Sequence, residues 1–171
     1  AENIGDVAVR NRGTIGGSLA NNDPAACYPA AVLSTGATIV TNSREISADD
    51  FFQGMFDTAL EEGEIIVSVK FPIPSSSSYQ KFVQPASRFA MVGVFLSNFG
   101  NETRVAVTGA SEGGVFRWSE AEAALNKNFS DGSIIDLSID HKDMIEDIHA
   151  SKEYRAHLVK VMTKRAVASA S

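Results

Sequence analysis

Apolar and polar residues alternate over several short stretches of this 171-residue chain, and this alternation predicts β-strands. The clearest case is a pair of stretches that flank Gly100-Asn101, a dipeptide suited to the turn of a hairpin. The predicted strands cover 37–41, 45–47, 64–71, 79–83, 90–99, 103–108 and 115–118. They indicate a chain in which many neighbouring strands pair in antiparallel orientation.

Helix signals lie between these strands. Asp23 is a suitable N-cap and Pro24 a suitable first residue, so a helix is expected over 25–33, before Gly36. Its interior is small and apolar, which is typical of a helix packed closely on a sheet. A brief helical segment is expected over 48–56.

Two further helices are predicted in the second half. Ser119 and Glu122 have the spacing of a capping box and predict a helix through Leu125. Residues 126–150 show no clean period. A longer helix is expected from Ser151, with one face formed by Tyr154, Leu158, Val161 and Met162.

Prolines and consecutive serines over 72–78 predict a break in regular structure. We therefore expect two domains, 1–73 and 79–171, joined by a linker at 74–78. Both halves mix helices and strands, and the predicted fold class is α+β.

Composition limits the classes of function. A net charge of −6 argues against a general nucleic-acid or anionic-membrane binder, because both surfaces favour broad clusters of Lys and Arg. Cys27 is the only cysteine, which excludes an intrachain disulfide and a thiolate metal cage within the chain. A reducing cytoplasm is the expected compartment. No catalytic residue and no metal ligand is predicted.

The strongest chemical signal is a basic, glycine-rich stretch at 10–18, which we interpret as a loop. Glycines allow a positive φ and place no Cβ in the way, so successive amides can converge on a phosphate, joined by nearby hydroxyls. The residues concerned are Gly13, Gly16 and Gly17, with the hydroxyls of Thr14 and Ser18. The alternative is a surface turn in which glycines only change the chain direction.

The spacing of these glycines matches neither the dinucleotide fingerprint nor the phosphate loop that ends in Gly-Lys-Ser or Gly-Lys-Thr. Asp23 would occupy the N-terminus of the next helix with its own carboxylate. The loop amides, rather than that helix, are therefore expected to hold the phosphate.

The same stretch resembles the second flavin-binding motif of the molybdenum hydroxylase flavoproteins, a family that includes the medium subunit of carbon monoxide dehydrogenase and the flavin domain of xanthine dehydrogenase. The segments that carry the resemblance are 9–20, 23–26, 29–31, 64–66, 71–72, 86–88, 92–94, 148–151 and 153–158. It implies the C-terminal part of a two-lobed FAD-binding domain, followed by a C-terminal domain in which an antiparallel sheet packs with helices.

The resemblance also implies roles for residues. FAD is the implied cofactor, Ile66 would lie near the flavin ring, and Ile4 aligns with another flavin contact. Cys27 stands where relatives usually place an acidic flavin contact; from its type alone it is simply a small buried side chain. The residues implied to hold the diphosphate are Thr14, Ile15, Gly16, Gly17 and Ser18.

The family further implies partners: a large subunit with the molybdenum cofactor and a small subunit with iron–sulfur clusters, from which FAD passes electrons to an acceptor. An Ala-Gly-Gly-Thr type loop that completes the diphosphate site is expected ahead of Ala1, so we expect this chain to be the C-terminal portion of a subunit that binds FAD poorly by itself. Two alternatives stay open: a non-catalytic docking module, and an unrelated phosphate-binding protein.

Overall fold

The computed structural model describes residues 1–170, which form helices and antiparallel sheets. The helices are α1 (Val7–Arg12), α2 (Ile15–Asn21), α3 (Tyr28–Ser34), α4 (Ala48–Phe51), α5 (Ser119–Lys127) and α6 (Lys152–Ala170), with a 3₁₀ turn at Asp131–Ile134. The strands are β1 (Thr38–Thr41), β2 (Glu45–Ser47), β3 (Phe52–Gly54), β4 (Asp57–Thr58), β5 (Ile66–Lys70), β6 (Ser76–Val83), β7 (Ala90–Asn98), β8 (Thr103–Thr108) and β9 (Phe116–Arg117). The predicted α+β class is confirmed.

Three sheets organise the described residues. The first has the order β2-β1-β5, the second is the short β3-β4 pair, and the third has the order β6-β7-β8-β9. The predicted hairpin is present, because β7 and β8 pair up to Asn98 opposite Thr103. Gly100 adopts φ +88° in the turn, where its amide donates to Oδ1 of Asn98 at 2.8 Å.

The third sheet is covered on both faces, and this explains why every residue of β8 is buried. Val105 and Val107 face a core formed with α5 and α6, which contribute Leu125 and Leu158. Ala106, between them, belongs instead to the core of the first half. A strand buried on both faces needs apolar or small residues at every position.

The first core lies between the β2-β1-β5 sheet and the helices α2 and α3. Leu19 and Ala30 from these helices pack with Ile39 from β1 and Phe51 from α4. Ala106 shares this core although it lies far along the chain, so the two halves are packed against each other. The proposed division into two domains stays a prediction.

The linker prediction is wrong for most of its length. Ser76 begins β6, and Ser76, Ser77 and Ser78 pair with Asn98, Ser97 and Leu96 of β7. Strand propensity depends strongly on context, and here the neighbouring strand β7 supplies the backbone partners for the serines.

Two helix predictions need correction. The helix expected over 25–33 begins only at Tyr28, because the Asp23 carboxylate accepts a hydrogen bond from the Ala25 amide at 2.8 Å and stabilises a turn instead. The helix expected over 48–56 ends at Phe51, where the chain turns into β3.

The capping box is also wrong, although its helix is present as α5. The Glu122 carboxylate accepts hydrogen bonds from the Val105 amide at 2.8 Å and from Nε of Arg117 at 2.9 Å, and it does not cap Ser119. A long-range partner has therefore replaced the local one. The helix expected from Ser151 is α6, which begins at Lys152.

Candidate functional site

The stretch predicted to be an open loop is helical on both sides of a short break, and this is the main correction at the site. Helix α1 ends at Arg12, Gly13 and Thr14 form the break, and α2 begins at Ile15. Gly13 has φ −67°, and Gly16 and Gly17 lie within α2. Positive φ angles are therefore not the reason for these glycines.

The break nevertheless leaves backbone amides without a helical acceptor, by a different geometry from the one predicted. Thr14 caps α2, because its Oγ1 accepts a hydrogen bond from the Gly17 amide at 2.9 Å. The amides of Ile15 and Gly16 lie in the first turn, where no acceptor exists within a helix. Partial positive charge at a helix N-terminus favours an anion.

Glycine within α2 allows close packing. A Cβ on Gly16 would lie 3.6 Å from the Cβ of Ile66 on β5, so α2 packs directly over this strand. A Cβ on Gly17 would lie only 3.0 Å from Oγ1 of Thr14. A side chain at Gly17 would therefore disturb both the cap and the surface next to the free amides.

A cavity of about 170 Å³ lies beside the break. Four of the eight predicted site residues line it: Ile4, Thr14, Ser18 and Cys27. The other four are not part of its lining within residues 1–170: Ile15, Gly16, Gly17 and Ile66. The structure thus brings together half of the predicted set at the cavity and leaves the rest outside its lining, on α2 and β5.

Arg10 also lines the cavity and holds the chain ahead of α1. Its Nη1 donates to the carbonyl oxygens of Ile4 and Gly5 at 2.9 and 3.1 Å. Arg10 lies in the last turn of α1, a favourable position for a cation. It therefore acts on Ile4, one of the predicted flavin contacts, through the backbone.

Two cavity residues from the second half were missed by sequence reasoning, Lys81 and Phe89. Nζ of Lys81 lies 3.6 Å from Sγ of Cys27 and donates to the carbonyl oxygens of Arg88, at 3.1 Å, and of Asn3. A strand position at 81 gave no signal of this, because the contact joins residues 54 positions apart.

Tyr79 lies next to the same cysteine. Its ring stacks on Phe95 with centroids 5.9 Å apart, and its hydroxyl is buried with no hydrogen-bond partner in the part of the chain that the structure describes. Burial, and then the neighbouring Cys27, raise the pKa of Tyr79. The hydroxyl is therefore neutral at physiological pH.

The residues fit part of a flavin nucleotide. Helix-start amides and two hydroxyls form a donor set of the kind that binds phosphate. A ligand pocket normally measures about 300–1,000 Å³, so a cavity of about 170 Å³ encloses only a portion of FAD. The described residues supply one side of such a site.

Comparison with known proteins agrees with this chemistry. Residues 1–74 match the model of the FAD binding domain in molybdopterin dehydrogenase. The predicted family is therefore borne out in residues 1–74, which carry this FAD-binding domain.

Named relatives extend the similarity over nearly the whole chain. The glyceraldehyde dehydrogenase medium chain of Sulfolobus acidocaldarius is 33% identical over 95% of this chain and 63% of its own length. The carbon monoxide dehydrogenase medium chain of Hydrogenophaga pseudoflava is 30% identical over 99% of this chain and 64% of its own length. This chain therefore spans less than two thirds of these relatives.

A solved structure gives the same result for the fold. Reconstituted CO dehydrogenase from Oligotropha carboxidovorans contains a chain that superposes with a TM-score of 0.84 at 26% identity, covering 98% of this chain and 64% of that one. The predicted family and the FAD-binding class are confirmed. Among residues 1–170, no helix is long and apolar enough to cross a membrane.

Proposed function

We propose that this chain is a portion of the FAD-binding medium subunit of a molybdenum hydroxylase. In the complete assembly, electrons would pass from iron–sulfur clusters in a small subunit through FAD to an acceptor, and substrate would be oxidised at a molybdenum cofactor in a large subunit. The observation that carries the proposal is the phosphate-type donor set at the start of α2, within the segment matched by the FAD-binding family.

Bound FAD would supply the redox chemistry, and the protein would supply binding and orientation. The amides of Ile15 and Gly16, with the hydroxyls of Thr14 and Ser18, would hold the diphosphate. Ile4 and Ile66 would contact the flavin. Cys27, beside Lys81 and Tyr79, would lie on the wall of the same cavity.

The first test is titration of the purified chain with FAD. We expect weak or no binding, because the cavity of about 170 Å³ is smaller than the range of about 300–1,000 Å³ that ligand pockets normally occupy. Isothermal calorimetry and the flavin absorption band measure the complex. A tight, stoichiometric complex would contradict the proposal that this chain forms only one side of the site.

The second test uses a subunit extended to the length of the relatives. There we expect bound flavin, and we expect Gly17→Val to remove it by placing a side chain beside the free amides. Gly113→Val is the control, because a Cβ there meets only Ser111 Oγ, at 3.5 Å. Retention of flavin by the folded Gly17→Val subunit would contradict the assigned diphosphate site.

Assembly is tested separately. A tagged chain purified from its host should carry partner subunits, detected as molybdenum and iron by elemental analysis. We place the assembly in the cytoplasm as part of this proposal, in keeping with the single unpaired Cys27. Cell fractionation checks the location.

The alternative is a docking module that binds no flavin by itself. It is favoured by exposed apolar residues along and beside β5, an edge strand of the first sheet. These residues are Ile65, Val67, Phe71 and Ile73, of which Ile73 is 92% exposed. A stable monomer that binds no partner subunit would contradict both functions.

A further inference from the structure

The cavity wall formed by 23–27 is held in place by the second half of the chain. Oγ1 of Thr108, the last residue of β8, lies within hydrogen-bond distance of the carbonyl oxygens of Pro24, at 2.8 Å, and Ala26, at 2.7 Å. The Gly109 amide donates to the same Pro24 oxygen at 2.6 Å. These contacts join residues more than 80 positions apart.

The wall has only local bonds of its own. Residues 23–27 lie outside every described helix and strand. Within them, Asp23 accepts hydrogen bonds from the Ala25 amide, at 2.8 Å, and from the Ala26 amide, at 2.9 Å. Those bonds shape the turn but do not fix its distance from α2. The contacts with Thr108 and Gly109 fix that distance, together with the contact of Lys81 Nζ with Cys27 Sγ at 3.6 Å.

Arg155 of α6 holds the backbone around Gly109 from the other face of the sheet. It is 4% exposed, and its Nη1 donates to the carbonyl oxygens of Met91 and Gly109 at 2.7 and 2.8 Å. Nη2 pairs with Asp147 at 2.6 Å. A continuous path of hydrogen bonds therefore leads from α6 through Gly109 to the cavity wall.

Glycine is required at the centre of this path. Gly109 has φ +80°, and a Cβ there would lie 2.4 Å from the carbonyl oxygen of Ala90. The backbone thus approaches β7 more closely than any side chain permits.

We propose that Thr108 is a positioning residue for the cavity: its hydroxyl, braced by Arg155 through Gly109, fixes segment 23–27 as the wall that FAD would contact. The second half of the chain then sets the shape of a site whose predicted ligands lie in the first half. The identity of the ligand rests on the proposed function, whereas the position of the wall is tested without any ligand.

Cys27 provides the readout, because it ends this segment, is 9% exposed and is the only cysteine. Thr108→Val keeps the side-chain shape and removes the donor, whereas Thr108→Ser keeps the donor. Thr103→Val is the matched control, since Thr103 is buried in the same strand at its opposite end. The rate at which Ellman's reagent modifies the thiol measures how often the wall opens.

We expect Thr108→Val to raise this rate about tenfold, the factor that corresponds to about 1.4 kcal/mol. Thr108→Ser should react at the rate of the unsubstituted chain. The thiol of Thr103→Val should react within about twofold of that rate. The accelerated rate should depend little on dilute urea, because a local opening exposes little surface.

An unchanged rate in Thr108→Val, an equal rise in Thr103→Val, or a steep urea dependence would overturn the proposal. If Thr108→Val does not fold, hydrogen exchange of the unsubstituted chain decides instead. The Gly109 amide should then be protected like the amides of β8, and exchange as fast as the Gly100 turn amide would overturn the proposal. Failed FAD binding by the subunit extended to the length of the relatives would contradict only the proposed function, since the thiol rates involve no flavin.

Discussion

Arg104 and Asp49 form an ion pair between the two halves. The structure predicts that substituting Asp49 lowers the free energy of unfolding more than substituting Arg104 does. Nη2 of Arg104 lies 2.6 and 2.8 Å from the two carboxylate oxygens of Asp49 and 3.0 Å from the carbonyl oxygen of Leu33. The Arg104 side chain is 10% exposed, whereas that of Asp49 is 44% exposed. Asp49 also pairs with Arg117 at 3.3 Å.

Removing either partner leaves the other in a different state. Asp49→Asn leaves a buried guanidinium whose remaining carboxylate, Glu102, lies 3.6 Å away and is 50% exposed, so we expect a loss of about 2–3 kcal/mol, below the cost of a wholly unpaired buried charge. Arg104→Met leaves the half-exposed Asp49 carboxylate, which still pairs with Arg117. The methionine side chain fills the space of the arginine with apolar atoms. We expect this substitution to cost only about 1–2 kcal/mol.

Urea unfolding at neutral pH measures both values, and the double variant completes a thermodynamic cycle. Lys70→Met is the control, because Lys70 and Glu45 form an ion pair whose side chains are 61% and 54% exposed, and it should cost about 0–1 kcal/mol. Equal losses for the two variants, or a larger loss for Arg104→Met, would refute the argument that burial of the surviving charge decides the cost.

Two further predictions concern the backbone and pH. Gly109→Ala should destabilise the fold by more than about 3 kcal/mol, measured by thermal unfolding, because a left-handed φ and a clash with Ala90 add up. Gly100→Ala, where a Cβ meets nothing within 4 Å, should cost only about 1–2 kcal/mol, and similar losses would disprove the clash. A hydrogen bond from Arg44, then one from the Glu61 amide, hold the pKa of Glu64 well below its usual range. Because the folded pKa is the lower one, this stabilisation is complete above the unfolded pKa of about 4.3 and is lost as the pH falls below it. Glu64→Gln should therefore flatten the fall of the urea midpoint between about pH 5 and pH 3, whereas the exposed Glu62→Gln should not, and parallel curves would contradict this reasoning.

Elements with local signals were predictable. The β7–β8 hairpin needed only alternation and a turn dipeptide, and α6 needed only a capping serine and a repeated apolar face. The family motif was readable for the same reason, since its residues are close together in sequence. Those signals were enough to identify the fold class and the FAD-binding family.

Contacts between distant residues were not predictable. Glu122 has the spacing of a capping box, but it binds β8 and Arg117, because a buried Val105 amide and a guanidinium are stronger partners than an exposed helix start. The serines at 76–78 show no strand pattern in the sequence. They form a strand because their backbone pairs with that of β7.

The candidate site shows the same division. The sequence alone singled out Thr14, Gly16, Gly17 and Ser18 as candidate phosphate donors, because these residues are neighbours and their chemistry is local. Only the tertiary structure decided that the donors belong to a helix start, and that Lys81 lies beside Cys27. The physical reason is that a cavity is formed where separate segments pack together, and packing across 54 or 84 residues leaves no pattern within a local stretch of sequence.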